Sequence, residues 1–255
     1  MSQTITSQDH AASDRGQGAA SHSNESWFAW GYRIFAYFGL MSVFAALIQG
    51  FRFDPTAPAV NYLVDGALYA AFVTPHLIMT RSWLKRALWG DPAGSLGERR
   101  VYIAVAVVMW LAVLALQQPL PGPFLELPRA VTLAGYVAAL WCLLLFFQGA
   151  TREGLDGLVG VPGSLARYTH GPETPLFIEG PYAQVRHPMY RAAVLAGLST
   201  LVIHPNAAQL LWCGMVGATF ILFIPIEEGQ LRAARGDDYR QYCERTPYRL
   251  LRGIW

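Results

Sequence analysis

The sequence predicts an all-α polytopic integral membrane protein with about six transmembrane helices, and three observations carry that reading. Of its 255 residues, 53% are hydrophobic and only 14% charged, whereas an average soluble domain carries roughly 25% charged residues. The apolar residues fall in long blocks rather than in short-period alternation, as helices must when every backbone hydrogen bond is closed inside lipid. Arginines collect in alternate connecting segments, the asymmetry of a chain that threads a membrane repeatedly. A net charge of +2 is too small for a phosphate-binding surface, so no nucleic-acid partner is expected. Cys142, Cys213 and Cys243 are odd in number and two lie inside apolar runs, which speaks against a disulfide scaffold.

The first 26 residues are rich in Ser, Gln, Ala, Asp and Gly and lack an apolar core; they read as a disordered cytoplasmic tail rather than a cleaved signal peptide. Six apolar blocks follow, at about Trp27–Gly50, Val60–Thr80, Val101–Gln117, Ala130–Gly149, Arg191–Ile203 and Ala207–Ile226. The third and fourth hold near-continuous runs, VYIAVAVVMWLAVLAL and VTLAGYVAALWCLLLFF, close to the ~20 residues that cross ~30 Å of hydrocarbon. The fifth is short. Even counted from Pro188 it spans only about 24 Å at ~1.5 Å per residue, so it reads as half of a tight hairpin turning at His204–Pro205–Asn206.

Orientation follows from the basic residues. Arg81, Lys85, Arg86, Arg99 and Arg100 lie between the second and third blocks, Arg152, Arg167 and Arg186 after the fourth, and six arginines in the tail; the intervening segments hold only Arg52 and Arg129. This pattern predicts both termini in the cytoplasm. Polar residues concentrate in Thr151–Tyr190 and Glu227–Trp255, so chemistry is expected there.

The stretch GPYAQVRHPMY, Gly180 to Tyr190, places Arg186 and His187 at the mouth of the fifth span, because Pro188 suits the first helical turn and disfavours helix at His187. Free N–H groups and the positive helix end favour an anion there. Anchor, cap and interfacial aromatic are the plainer roles for Arg186, His187 and Tyr190. The second stretch, PIEEGQLRAARGDDYRQYCERTPYRLL, runs from Pro225 to Leu251. Pro225 is expected to break the sixth span and free the Ile221 carbonyl. Glu227 and Glu228 then leave the apolar run about 100° apart on a helix. Carboxylates at the hydrocarbon edge require a cation, either Arg186 and the tail arginines or a cationic ligand. Gly236 reads as a helix stop, Asp237–Asp238 as a second helix start and Pro247 as its end.

Arg-His-Pro-x-Tyr, an apolar span, Glu-Glu, and Gly-Asp-Asp-Tyr-x-x-Tyr-x-x-x-x-Pro together resemble the isoprenylcysteine carboxyl methyltransferase family over roughly Pro175–Pro247. Further upstream, HLIMTRSWLKR (His76–Arg86), ERRVY (Glu98–Tyr102) and GLDGLVGVPGSL (Gly154–Leu165) are similar to the bacterial methanethiol S-methyltransferase branch. That branch has Gln-His-Ser where this chain has Pro75-His76-Leu77. The resemblance implies an integral membrane enzyme that uses S-adenosyl-L-methionine without a Rossmann fold, sits in a bacterial inner membrane, and methylates a small or lipophilic thiol or carboxylate. It divides the chain into the tail 1–26, transmembrane helices 27–150 and a cofactor-binding module 151–255. It implies cofactor contacts at Leu176, Phe177, Tyr182, His187, Pro188, Met189, Tyr190, Glu227 and Glu228, and catalytic roles for Arg186 and His187. Tyr182 and Tyr190 would flank the sulfonium or adenine, since aromatic faces attract cations. His76, after Pro75 and near the basic loop, is a candidate substrate residue or a satisfied structural histidine.

Two competing readings remain. The tail from Tyr242 to Trp255 also resembles the end of NADPH-dependent membrane sterol reductases, whose arginines would hold phosphates; Glu227–Glu228 would repel them. A scaffold or channel would draw on Arg33, Asp65 and His76 within the spans, although Arg33 is near enough to the edge to snorkel and Asp65 lies near the outer edge. The six scattered histidines and the lack of Cys-x-x-Cys predict no metal site. The glycine-rich GLVGVPG (Gly157–Gly163) lacks a dinucleotide fingerprint and reads as a turn between interfacial helices that covers the cofactor.

Overall fold

The computed structural model describes residues 27–90, 96–161 and 176–255. The tail 1–26 and Pro162–Leu165 of the glycine-rich stretch lie outside the described residues. The protein is an all-α polytopic membrane protein. Among the described residues, five helices are long and apolar enough to cross a bilayer: α1 (Trp27–Gln49), α2 (Asn61–Met79), α4 (Leu96–Leu116), α5 (Arg129–Glu153) and α8 (Ala207–Arg235). Between and after them lie α3 (Ser82–Trp89), α6 (Leu155–Val159), a 3₁₀ turn (Gly180–Ala183), α7 (Pro188–Ile203) and α9 (Asp237–Arg245). On α5, Leu133, Val137, Leu140 and Leu144 form an exposed apolar stripe at helical spacing, the surface a lipid-facing helix presents.

The expected six spans thus become five crossing helices and the 16-residue α7. Being short, α7 is held by packing. It lies against α5, with its own Ala192, Ala196 and Gly197 buried. Its register on α5 is tight: a β-carbon at Gly149 would stand 2.9 Å from the Met189 side chain, and one at Gly135 would stand 3.2 Å from the Ser199 carbonyl. The hairpin turn is where the sequence places it. Asn206 caps α8 by accepting from the Gln209 N–H at 2.9 Å, and the His204 ring bonds the Ile48 carbonyl at 2.7 Å.

Pro225 does not break α8, contrary to expectation. The helix continues to Arg235 and spans about 43 Å at ~1.5 Å per residue, more than a bilayer core needs. Ile224 and Glu228, one turn apart, are both fully buried. Packing on either side of the proline therefore offsets the lost backbone bond, as occurs where tertiary contacts re-satisfy a kinked membrane helix. The helix stops at Gly236, which has φ +52°, and α9 starts on Asp237 as read from the sequence.

Arg33 lies in the second turn of α1. Its guanidinium reaches across to α6 and bonds Asp156 at 3.0 and 3.3 Å, a carboxylate that also accepts from the Tyr37 hydroxyl at 2.6 Å. Tyr32 donates to the Val159 carbonyl at 2.7 Å. These long-range bonds fasten α6 onto α1. At the opposite end, Asp65 is buried and accepts from the Gln118 N–H at 2.8 Å, beside a core of Leu47, Phe51, Trp110, Leu120 and Trp212. It closes that end of the bundle.

Helix α1 packs on α4 through Gly39, where a β-carbon would lie 2.2 Å from Val107 Cγ2. Valine is stiff at χ1 and has little room to yield. Gly39→Val should therefore destabilise by roughly 1–3 kcal/mol through overpacking. A melting temperature in detergent equal to that of the native chain would contradict this packing.

Candidate functional site

The polar end of the bundle is organised by one carboxylate. Glu228 is fully buried. It receives Arg186 Nε at 2.8 Å, Arg232 Nη2 at 3.0 Å and Arg249 Nη2 at 3.0 Å, and His187 Nε2 lies 3.3 Å away. The sequence explains how these groups meet. Pro188 starts α7 and leaves His187 non-helical at its mouth, at φ −123° and ψ 65°. Gly236 turns the chain so that α9 and the tail fold back on that mouth. The Arg186 and His187 N–H groups then donate to the Tyr248 and Arg249 carbonyls at 2.9 and 3.0 Å. Arg186 Nη1 donates to the Thr246 and Pro247 carbonyls, and Tyr242 donates to the Tyr182 carbonyl at 2.8 Å. A buried carboxylate with this many charge-assisted donors is fully compensated.

Beside this hub is a cavity of about 270 Å³. Of the residues singled out in the sequence, it is lined by Leu176, Phe177, Tyr182, Arg186, His187, Pro188, Met189, Tyr190 and Glu227. Glu228 and His76 are not among its lining. Glu228 stands behind the wall in its arginine shell. His76 stands behind Tyr102, with its ring edge-on to that phenol at 5.4 Å and its Nδ1 donating to the Phe72 carbonyl at 2.6 Å. That bond satisfies its Nδ1.

Glu227 is the carboxylate on the cavity side. Its side chain retains 31% exposure and stands 3.6 Å from His187 Nδ1, and Tyr190 hydrogen-bonds to it. The rings of His187 and Tyr190 are stacked at 5.5 Å, with Phe220 a further 5.0 Å beyond Tyr190. Burial opposes charge on the His187 imidazole, but Glu227 and Glu228 outweigh it and raise its pKa. One wall thus carries a carboxylate, aromatic faces and the start of α7, whose first-turn N–H groups have no acceptor within the helix. Such a set suits a zwitterionic ligand with an added positive centre.

The rest of the lining was legible in the sequence only as motif. Thr80, Lys85, Glu98, Arg99 and Tyr102 come from α2 to α4, and Gln230, Arg235, Tyr239 and Tyr242 from α8 and α9. The upstream stretches His76–Arg86 and Glu98–Tyr102 contain five of these, but nothing in their spacing announced a shared cavity. The glycine-rich stretch contributes Leu158, which lies on α6.

Two outcomes follow. Glu228→Gln should destabilise far more than Glu227→Gln, approaching the roughly 3–5 kcal/mol of a broken buried ion pair, less what the half-exposed Arg232 regains in water. Melting curves of both variants, with trypsin cleavage at Arg249 as a probe of tail release, test this; equal curves contradict the hub. His187 has a raised folded-state pKa, so its stabilising contribution is complete below about pH 6.5 and is lost as pH rises through the higher folded value. His187→Gln should flatten the fall in melting temperature across that window.

A curated relative, methanethiol S-methyltransferase 1 of Bradyrhizobium diazoefficiens, is 28% identical over 202 residues, covering 75% of this chain and 67% of the relative. No family model and no solved structure matches the chain. The chain is therefore similar, at a distance, to a protein named for methyl transfer to methanethiol.

Proposed function

We propose that the protein is an integral membrane methyltransferase that uses S-adenosyl-L-methionine and acts on a small thiol at the cytoplasmic face. The observation that carries this is the cavity wall on which Glu227, Tyr190, His187 and the start of α7 converge, taken with the distant likeness to a methanethiol S-methyltransferase. S-adenosyl-L-methionine carries an ammonium, a carboxylate, a sulfonium and an adenine, and supplies an already activated methyl group. The residues fit those groups. Glu227 matches the ammonium. The α7 N-terminus, with Pro188, Met189 and His187, matches the carboxylate. Tyr190 offers a ring face to the sulfonium, and Leu176, Phe177 and Tyr182 offer apolar and aromatic surface to the adenine. Phe177 and Tyr182 already lie 6.2 Å apart, ring to ring.

In this reading Glu228 touches neither ligand. It positions Arg186 and His187, and through them the rim of the cavity. Arg186, with its three donor contacts inward, serves as a positioning residue, and His187 holds a proton between two carboxylates. Because the donor is activated, the protein's task is placement: holding the acceptor sulfur in line at ~3–3.5 Å supplies most of the effect. The reductase alternative needs tail arginines free for phosphates, but Arg249 is bonded to Glu228 and lies over the Trp255 ring at 5.2 Å.

S-adenosylhomocysteine at about 100 times its dissociation constant should stabilise the detergent-solubilised protein by roughly 2.7 kcal/mol, while NADPH leaves its melting curve unchanged. With S-adenosyl-L-methionine and methanethiol, headspace analysis should detect dimethyl sulfide. Stabilisation by NADPH alone would overturn the reading in favour of the reductase.

A further inference from the structure

Helix α3 keeps its apolar residues on the outside. It starts at Ser82, three residues after the span α2 ends at Met79, and therefore lies at the membrane boundary. The chain leaves the line of α2 at Arg81, which is extended at ψ 130°, and Gly90, at φ +73°, stops the new helix. The sequence between them, SWLKRALW, is amphipathic. At about 100° per residue, Trp83, Leu84, Ala87 and Leu88 fall within a sector of about 140°. Trp83 and Leu88 are 63% and 61% exposed, Ala87 is exposed and Leu84 half-buried. Among the described residues, most of that face is left uncovered.

The basic residues of this segment divide between two directions. Lys85 turns inward: its side chain is 12% exposed, pairs with Glu98 at 3.4 Å and lines the cavity beside Thr80. Arg86, next to Trp83 around the helix, and Arg81, at its start, stay exposed. No acidic residue lies between Ser82 and Trp89. A bilayer surface meets both halves of this pattern. The tryptophan and leucines enter the acyl boundary, and the flanking arginines lie level with the headgroups. A neutral surface would take up the apolar face and leave two guanidiniums without counter-charge, whereas anionic headgroups supply it through charge-assisted hydrogen bonds to phosphate.

We propose that α3 is an interfacial helix that binds anionic phospholipid: Trp83, Leu84, Ala87 and Leu88 sink into the acyl boundary, and Arg81 and Arg86 take the headgroup phosphates. The inference is independent of the methyl-transfer reading, since it rests on the outer face of α3 alone. It seats one wall of the cavity on lipid, because Thr80 and Lys85 belong to the same short segment. The headgroup contacts are electrostatic and exposed, so salt weakens them, with a Debye length of ~8 Å at physiological ionic strength.

The test is hydrogen exchange of the full-length protein in nanodiscs in which phosphatidylglycerol replaces phosphatidylcholine stepwise. The amides of α3 should exchange more slowly as the anionic fraction rises, while those of α9 stay unchanged. A basic residue near a membrane surface contributes about fivefold in affinity, so Arg81→Gln and Arg86→Gln should each raise the anionic fraction for half-protection by about that factor. Added salt should act in the same direction, and so should Trp83→Ser, which removes apolar area from the seated face. Arg240→Gln, on the exposed surface of α9, should leave the half-protection fraction where it is. Equal exchange of α3 in neutral and anionic nanodiscs overturns the proposal. So does protection by inorganic phosphate in neutral nanodiscs, which would mark a site for a free anion. Protection in detergent that grows with protein concentration also overturns it, by seating a second copy of the chain on this face.

Discussion

Everything at the polar end of this bundle depends on a single buried carboxylate. Glu228 draws together the residue before α7, the last turn of α8 and the tail beyond α9 through Arg186, Arg232 and Arg249. Such an assembly is costly to desolvate and stable only when complete. It contributes order rather than net stability: with Glu228 saturated, the loop at Arg186–His187 has one conformation and the tail has one place to lie. The cavity beside it inherits that definition, since its rim is built from the same residues.

A longer-range constraint sets where the site stands. Helix α8 outruns the bilayer core, and its last turns carry Glu227, Glu228 and Gln230 beyond the apolar stretch. Gln230 donates to the Thr80 carbonyl at 2.6 Å, tying that overhang to the corner between α2 and α3. On the other side, Arg33 and Tyr37 clamp α6 through Asp156. Both flanks of the cavity are thus fixed by polar contacts at the ends of apolar helices, where lipid no longer forbids them.

Much of this was legible in the sequence, and the gaps have physical causes. The spans were legible because a lipid-facing helix must be apolar along its whole length, and the α7 start because proline constrains the residue before it. Pro225 misled because its local cost is offset by burial of Ile224 and an ion cluster drawn from residues up to 42 positions away. Which glutamate faces the cavity was not legible either: adjacent helical positions differ by about 100°, and only packing sets the rotation. The Arg33–Asp156 pair joins residues 123 positions apart, a partnership no local pattern encodes. The Lys85–Glu98 wall was visible as motif but not as cavity, since Thr80 to Tyr102 converge on α8 only in three dimensions.

The ion cluster also has a consequence in time. Of the three guanidiniums on Glu228, Arg186 precedes it in the chain, Arg232 follows within a turn, and Arg249 comes last. A growing chain therefore delivers the carboxylate to the membrane boundary before its final partner exists. The bundle can thread and pack while that acid is held by two cations, and the site closes only when the tail has been made and laid back across α7. Insertion and completion are separate events in the life of the protein, divided by the synthesis of the segment that carries Arg249.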